Sequence, residues 1–283
     1  MNQRLVALEL LQLRMATEPR LERKDVAKAL GCATSRIGHL ETARNQPSYT
    51  DLRTITDLYG RPDRLEVLWL RTSLSRQRGW WEEAQHRGVI QEGPDSFREY
   101  IGLEQGCSHM LFWDPLAVTG LFQTADYAQA VIRAYDKTLT DQQVRDRAVL
   151  RIRRQEVIGR AKLHVVLGET ALRPVGGREV FRAQLEHLAR TAEHPNVTLQ
   201  VLLNEVGAHP GQHGPFTIMG FPADPEVHDP GLVYVETLLR STLYDEDADI
   251  AAYTTNFGEL ADLAASPGRS ADLIHRLIKE QAA

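Results

Sequence analysis

Apolar residues in the first quarter of the chain recur every three or four positions, the spacing that lines one face of a helix. Leu5, Leu8, Leu11 and Met15 predict a helix over 3–17, which Pro19 helps to close. Val26, Ala27 and Leu30 mark a second, with Gly31 directly behind it, where a helix end favours a residue that tolerates positive φ. A third runs from about Thr34 to Ala43, with Ile37 and Leu40 inward and Ser35, Arg36 and His39 outward. Leu52, Ile55 and Leu58 predict a fourth over 51–59, opened by Ser48 or Thr50 and ended by Gly60. After Pro62, Leu65, Leu68, Trp69 and Leu74 give a fifth over 63–77.

From Tyr100 the pattern changes. Short apolar runs predict strands over 108–113, 163–167, 197–203, 216–221, 232–236 and 241–244. Helices are expected over 123–134, 141–160, 177–193, 248–265 and 270–281. The expectation is therefore two domains: an all-α five-helix domain over 1–77, and an α/β or α+β domain over 100–283 with a five- to six-stranded mixed sheet. Residues 78–99 read as a junction, with Trp80 and Trp81 as docking anchors and Gly93-Pro94 as a turn.

Charge is distributed unevenly. Residues 1–80 carry net +5 and the remainder −10, together giving the chain's −5. A basic end on an acidic body suits a protein that meets nucleic acid through one end only. No window approaches a membrane span, and 5–13 lacks the features of a signal peptide, so a cytoplasmic protein is expected. Cys32 is expected to be buried in the turn after the second helix, and with Cys107 as the only other cysteine a structural disulfide is not expected.

Signatures of enzymatic chemistry are thin. G-x-S-x-G, Walker and H-E-x-x-H motifs do not occur, and Gly176-Gly177 is too short for a nucleotide fingerprint. His209 and His213 share a loop but lack further ligands at a metal-site spacing. Glu169 and Glu236 are the carboxylates placed on strands, where a charge needs a partner; Arg151 and Arg154 are plausible ones. A structural ion-pair cluster or a ligand site is favoured over a catalytic one. No enzyme activity, cofactor or metal is expected, and an enzyme targeted to DNA remains a rival reading.

The order helix, Gly-containing turn, helix over 21–47 is that of a helix-turn-helix, whose second helix enters the major groove. Ala27, Gly31, Ile37, Leu40 and Glu41 resemble the Cro- and Xre-type helix-turn-helix family. That family opens the first helix of the motif with Thr-Gln, where this chain has Glu22 and Arg23, so a weaker cap is expected; Ala33 replaces a Ser, leaving Thr34 as the expected cap of the recognition helix. The resemblance implies base contacts from Ser35, Arg36 and His39, with Arg36 best suited to guanine, and backbone contacts from Arg23, Thr34, Arg44 and Asn45.

A second resemblance spans Tyr100–Leu277, through GLFQTADYAQAVI at 120–132, RIRRQ at 151–155, GETALR at 168–173, VGGREVFRAQLEHL at 175–188, PNVTLQVL at 195–202, GPFTI at 214–218 and YVET at 234–237. These phrases, in this order, are similar to actinobacterial helix-turn-helix regulators with a C-terminal domain of unknown function. The resemblance implies a transcriptional regulator, often linked with a small partner protein encoded nearby; the small positive excess of residues 1–80 adds the expectation of a homodimer on double-stranded DNA. An antitoxin-like role, with DNA binding serving only autoregulation, is the alternative it carries. For a small partner protein or small-molecule ligand, the candidate residues are Arg151, Arg154, Glu169, His209, His213 and Glu236.

Overall fold

The computed structural model describes residues 1–76, 79–82, 95–237 and 240–282. Most of the 78–99 junction, with its Gly93-Pro94 turn, lies outside the described residues. The chain forms two compact units, one of Met1–Trp80 with Pro222–Asp229, the other of Trp81–Phe221 with Pro230–Ala283.

The first unit contains α1 (Asn2–Met15), α2 (Arg23–Leu30), α3 (Thr34–Glu41), α4 (Tyr49–Leu58) and α5 (Leu65–Ser75). Val6, Leu10, Val26, Ile37, Leu52 and Leu68 form its core. The inward face of α1 is shifted from the expected one: Leu5 is buried as expected, but Val6, Leu10 and Leu13 pack on the core, Leu8 and Leu11 are only half-buried, and Met15 is 44% exposed. Leu58 and Leu74 are likewise exposed. In α1, apolar side chains surround most of the helix, so periodicity alone does not choose a face.

Buried charge makes that choice. Glu9, 1% exposed, accepts from Arg64 Nε at 2.6 Å and from Arg71 Nη1 at 2.8 Å. Arg71 also pairs with Asp224, and Arg4 with Asp229 at 2.9 Å, which fastens segment 222–229 within this unit. Gln12 adds two bonds, donating to the His228 carbonyl at 2.6 Å and accepting its N–H at 3.1 Å.

The second unit opens with α6 (Asp95–Glu104), a helix not expected from the sequence. It continues through β1 (His109–Asp114), α7 (Ala125–Tyr135), α8 (Asp141–Arg154), β2 (Lys162–Gly168), α9 (Arg178–Ala192) and β3 (Val197–Leu202). β4 (Phe216–Gly220), β5 (Leu232–Glu236), β6 (Ser241–Tyr244), α10 (Asp247–Leu263) and α11 (Pro267–Ala282) follow. The six strands form a mixed sheet in the order β3-β2-β1-β4-β5-β6. β1, β2 and β3 run parallel, with helices in the connections, while β4, β5 and β6 join antiparallel. β1 therefore sits where the parallel half meets the antiparallel half.

Alternation along each strand divides the sheet into two faces. Trp113, Val166, Phe216, Ile218 and Val233 pack against Ile250, Phe257 and Leu260 of α10. On β1 and β5 the intervening positions, Phe112, Asp114, Tyr234 and Glu236, face the other way. The helix expected over 141–160 ends at Arg154 and continues as a 3-10 turn through Gly159. Thr140 opens it with a reciprocal cap, accepting from Gln143 N at 3.3 Å while Gln143 Oε1 accepts its N–H at 2.9 Å.

Candidate nucleic-acid interface and a polar cavity

The elbow of the helix-turn-helix depends on Gly31. Its φ of 63° is a conformation that side-chain-bearing residues avoid, and it brings Cys32 N onto the Ala27 carbonyl at 2.9 Å. Cys32 is half-buried beside the core, less enclosed than expected, and has no disulfide partner. Thr34 does not cap α3 as expected. Ala33 occupies the cap position, and Thr34 is the first helical residue with its side chain exposed. At α2 the chain is held from within the helix: Asp25 Oδ2 accepts the Glu22 N–H at 2.9 Å.

The candidate DNA-contacting residues occupy different environments. Ser35, Arg44 and Asn45 are exposed, and His39 is half-buried. Arg44 and Asn45 both donate backbone N–H groups to the His39 carbonyl, at 2.9 and 3.1 Å, because Ala43 adopts a φ of 57° and turns the chain sharply at the end of α3. Arg23 is tied to Glu41 at 2.7 Å. Glu41, 5% exposed, also takes both ends of a fork from Arg14, at 2.5 and 3.0 Å. The carboxylate thus joins α1, α2 and α3, and its contact holds Arg14 above the usual guanidinium range, the hydrogen bond outweighing the opposing effect of burial.

Arg36 donates from Nη2 to Asp51 Oδ2 at 2.6 Å, a contact that raises its pKa. Burial works to raise the Asp51 carboxyl, but hydrogen bonds from Ser48 and then from Arg36 outweigh it and the net direction is downward. Beside α3, Arg20, Arg23, Lys24 and Thr34 line a cleft of about 700 Å³. Arg20 and Lys24 were not singled out from the sequence; the local excess of positive charge was the available signal.

In the second unit, a cavity of about 250 Å³ opens on the sheet face that carries Asp114 and Glu236, beside α8. Here the structure brings Arg151, Arg154 and Glu236 together and adds residues the sequence reading missed. Arg154 is bound in a fork by Glu104 of α6, at 2.9 and 2.7 Å, with its guanidinium 5.1 Å from the Tyr100 ring centroid. Burial alone would lower the Arg154 pKa; the Glu104 contact more than offsets it. Arg151 Nη1 donates to Gln123 Oε1 at 2.7 Å. Crowding by protein, and then repulsion from Arg154, lowers the Arg151 pKa to about 10. Asp114 accepts from the Thr119 hydroxyl at 2.5 Å, yet desolvation and the charge of Glu236 carry its carboxyl up to about 6.

The remaining candidates lie elsewhere. Glu169 accepts the Asn204 N–H at 2.8 Å and has neither Arg151 nor Arg154 as an ion-pair partner. His209 packs edge-on against Trp113, with centroids 5.4 Å apart, and its Nδ1 accepts the Gly211 N–H at 3.2 Å. His213 lines a separate pocket with Tyr253 and Asn256. Among the described residues, no group of three or more His, Cys, Asp or Glu side chains is arranged to hold a metal ion, and no helix is long and apolar enough to cross a membrane.

Two family models match the chain. The first is a helix-turn-helix domain over residues 6–69, and the second the domain of unknown function DUF5753 over residues 97–276. No curated protein and no solved structure matches. The chain belongs to the DUF5753 family, and its N-terminal helix-turn-helix is that of a DNA-binding regulator of the Xre type.

Proposed function

We propose that this DUF5753-family chain is a sequence-specific transcriptional regulator that binds double-stranded DNA as a homodimer. In this reading its second unit takes up a small ligand or a small partner protein in the cytoplasm and thereby biases DNA affinity. The observation that carries the DNA-binding part is the exposed edge of α3. Ile37, Leu40 and Glu41 fix that helix from below, while Thr34, Ser35, Arg44 and Asn45 remain accessible.

Ser35, Arg36 and His39 are assigned to base edges, and Arg23, Thr34, Arg44 and Asn45 to the phosphate backbone, with Arg20 and Lys24 added from the cleft. Arg36 gives one nitrogen to Asp51, and its fork has further N–H groups for guanine. The positive excess of the first eighty residues is modest, which favours a dimer spanning two half-sites over a monomer held by charge alone. Coupling requires that a ligand or partner bind the DNA-competent and DNA-incompetent states with different affinity.

The test is affinity for the protein's own upstream DNA across a salt series, for wild type, Ser35→Ala and Arg36→Ala, with sedimentation to establish the oligomeric state. Specific binding that weakens in the variants, from a protein that remains folded and dimeric, supports the reading. Equal affinity for scrambled DNA, unchanged by either substitution, overturns it.

A further inference from the structure

The cavity beside α8 contains a charge pattern that DNA binding does not use. Arg151 has Gln123 as its hydrogen-bonding partner, and among the described residues no carboxylate lies within ion-pairing distance of it. Asp114 and Glu236 are close enough to act on it electrostatically without neutralising it. Two guanidiniums and two carboxylates therefore border the same 250 Å³ space, and of the guanidiniums only Arg151 lacks a carboxylate partner, since Arg154 is held by Glu104. Glu236 is exposed, but for Arg151 and Asp114, set back from solvent, a charge left unmatched is costly. The depressed Arg151 and elevated Asp114 reflect that cost. The lining also holds the rings of Tyr100, Phe112 and Tyr234, set among aliphatic and polar residues such as Val118, Leu121 and Thr217.

We propose that this cavity binds a free aromatic α-amino acid, its carboxylate on Arg151, its ammonium on Asp114 and Glu236, and its ring against Tyr100, Phe112 and Tyr234. The charges exclude simpler classes. Two carboxylates oppose a phosphorylated ligand. A plain carboxylate leaves Asp114 and Glu236 unmatched, and a plain amine leaves Arg151 unmatched. Arg154 offers no second anion site, since Glu104 already holds its fork. A zwitterion satisfies both signs at once, and the volume suits a small metabolite more than a nucleotide. This inference deepens the sensor role proposed above and rests on that role only for its consequence at DNA.

The experiment is calorimetric titration of the full chain with L-phenylalanine, L-tyrosine and L-tryptophan, alongside phenethylamine and 3-phenylpropanoate, which each lack one charge. At least one amino acid is expected to bind, with the matching single-charge analogue weaker by about tenfold or more. Arg151→Gln is expected to weaken the amino acid and the propanoate but not the amine. Glu236→Gln, at an exposed position that should not disturb folding, is expected to weaken the amino acid and the amine but not the propanoate. Absence of binding by all three amino acids, or an analogue that binds as tightly as its parent, overturns the proposal. The sensor role is read separately: amino-acid binding that leaves operator affinity unchanged sinks that role while the site stands.

Discussion

Asp51 Oδ2 accepts from Arg36 Nη2 at 2.6 Å and from the backbone N–H of Ser48 at 2.9 Å, so one oxygen both steadies the recognition helix and opens α4. Asp51→Asn keeps an acceptor for Ser48 but removes the charge that holds Arg36. DNA affinity at low salt is expected to rise and the salt slope to steepen by about one counterion. Stability is expected to fall by roughly 1 kcal/mol. Fluorescence anisotropy across a salt series, with urea unfolding alongside, reads both; an affinity and a slope that both stay unchanged place Arg36 away from the nucleic acid.

Glu41 is expected to matter more for folding than for binding. Glu41→Gln leaves Arg14, 6% exposed, without its counter-charge. Removing one partner of such a buried pair costs about 3–5 kcal/mol, whereas replacing both with apolar residues is often near neutral. Urea unfolding should show a large loss in the single variant and substantial recovery in Arg14→Met/Glu41→Leu. An equal loss in both would assign the role of Glu41 to something other than charge pairing.

Ala43, at a φ of 57°, carries a conformation that disfavours a Cβ. Ala43→Gly relieves it, and the added flexibility of the unfolded chain offsets part of the gain. A net stabilisation of about 0.5–1 kcal/mol is expected. A thermal melt that shifts downward would mean the turn after α3 is held by more than the two bonds to His39.

Asp114 gives the second unit a pH signature. Its carboxyl lies at about 6 in the folded chain against an ordinary 3.8. The folded state thus binds this proton more tightly, and that contribution is complete below the ordinary carboxylate range and lost as pH rises through about 6. Asp114→Asn is expected to be more stable than wild type by about 1–3 kcal/mol above pH 7, with the difference vanishing below pH 4. Melting curves across pH check this, and a pH-independent difference would contradict it.

Taken alone, the sequence determined the helix-turn-helix, the order of the six strands and the outward position of Ser35 on α3. Amphipathic spacing and Gly31 marked the helix-turn-helix, and compact apolar runs marked the six strands, because both follow from local periodicity. It did not determine which carboxylate meets which arginine. Arg154 was paired in expectation with Glu169 or Glu236, yet its partner is Glu104, on the unforeseen helix α6. Asp114 stands at the end of β1 directly before Pro115, and only the sheet brings it to a cavity with Thr119 and Glu236. The face of α1 was undetermined for a related reason: apolar residues nearly encircle it, and Glu9 selects the face through Arg64 and Arg71, which lie more than fifty residues away. Periodicity carries information over a few residues, while desolvated charge must be matched across the whole fold, and that matching was settled by tertiary structure.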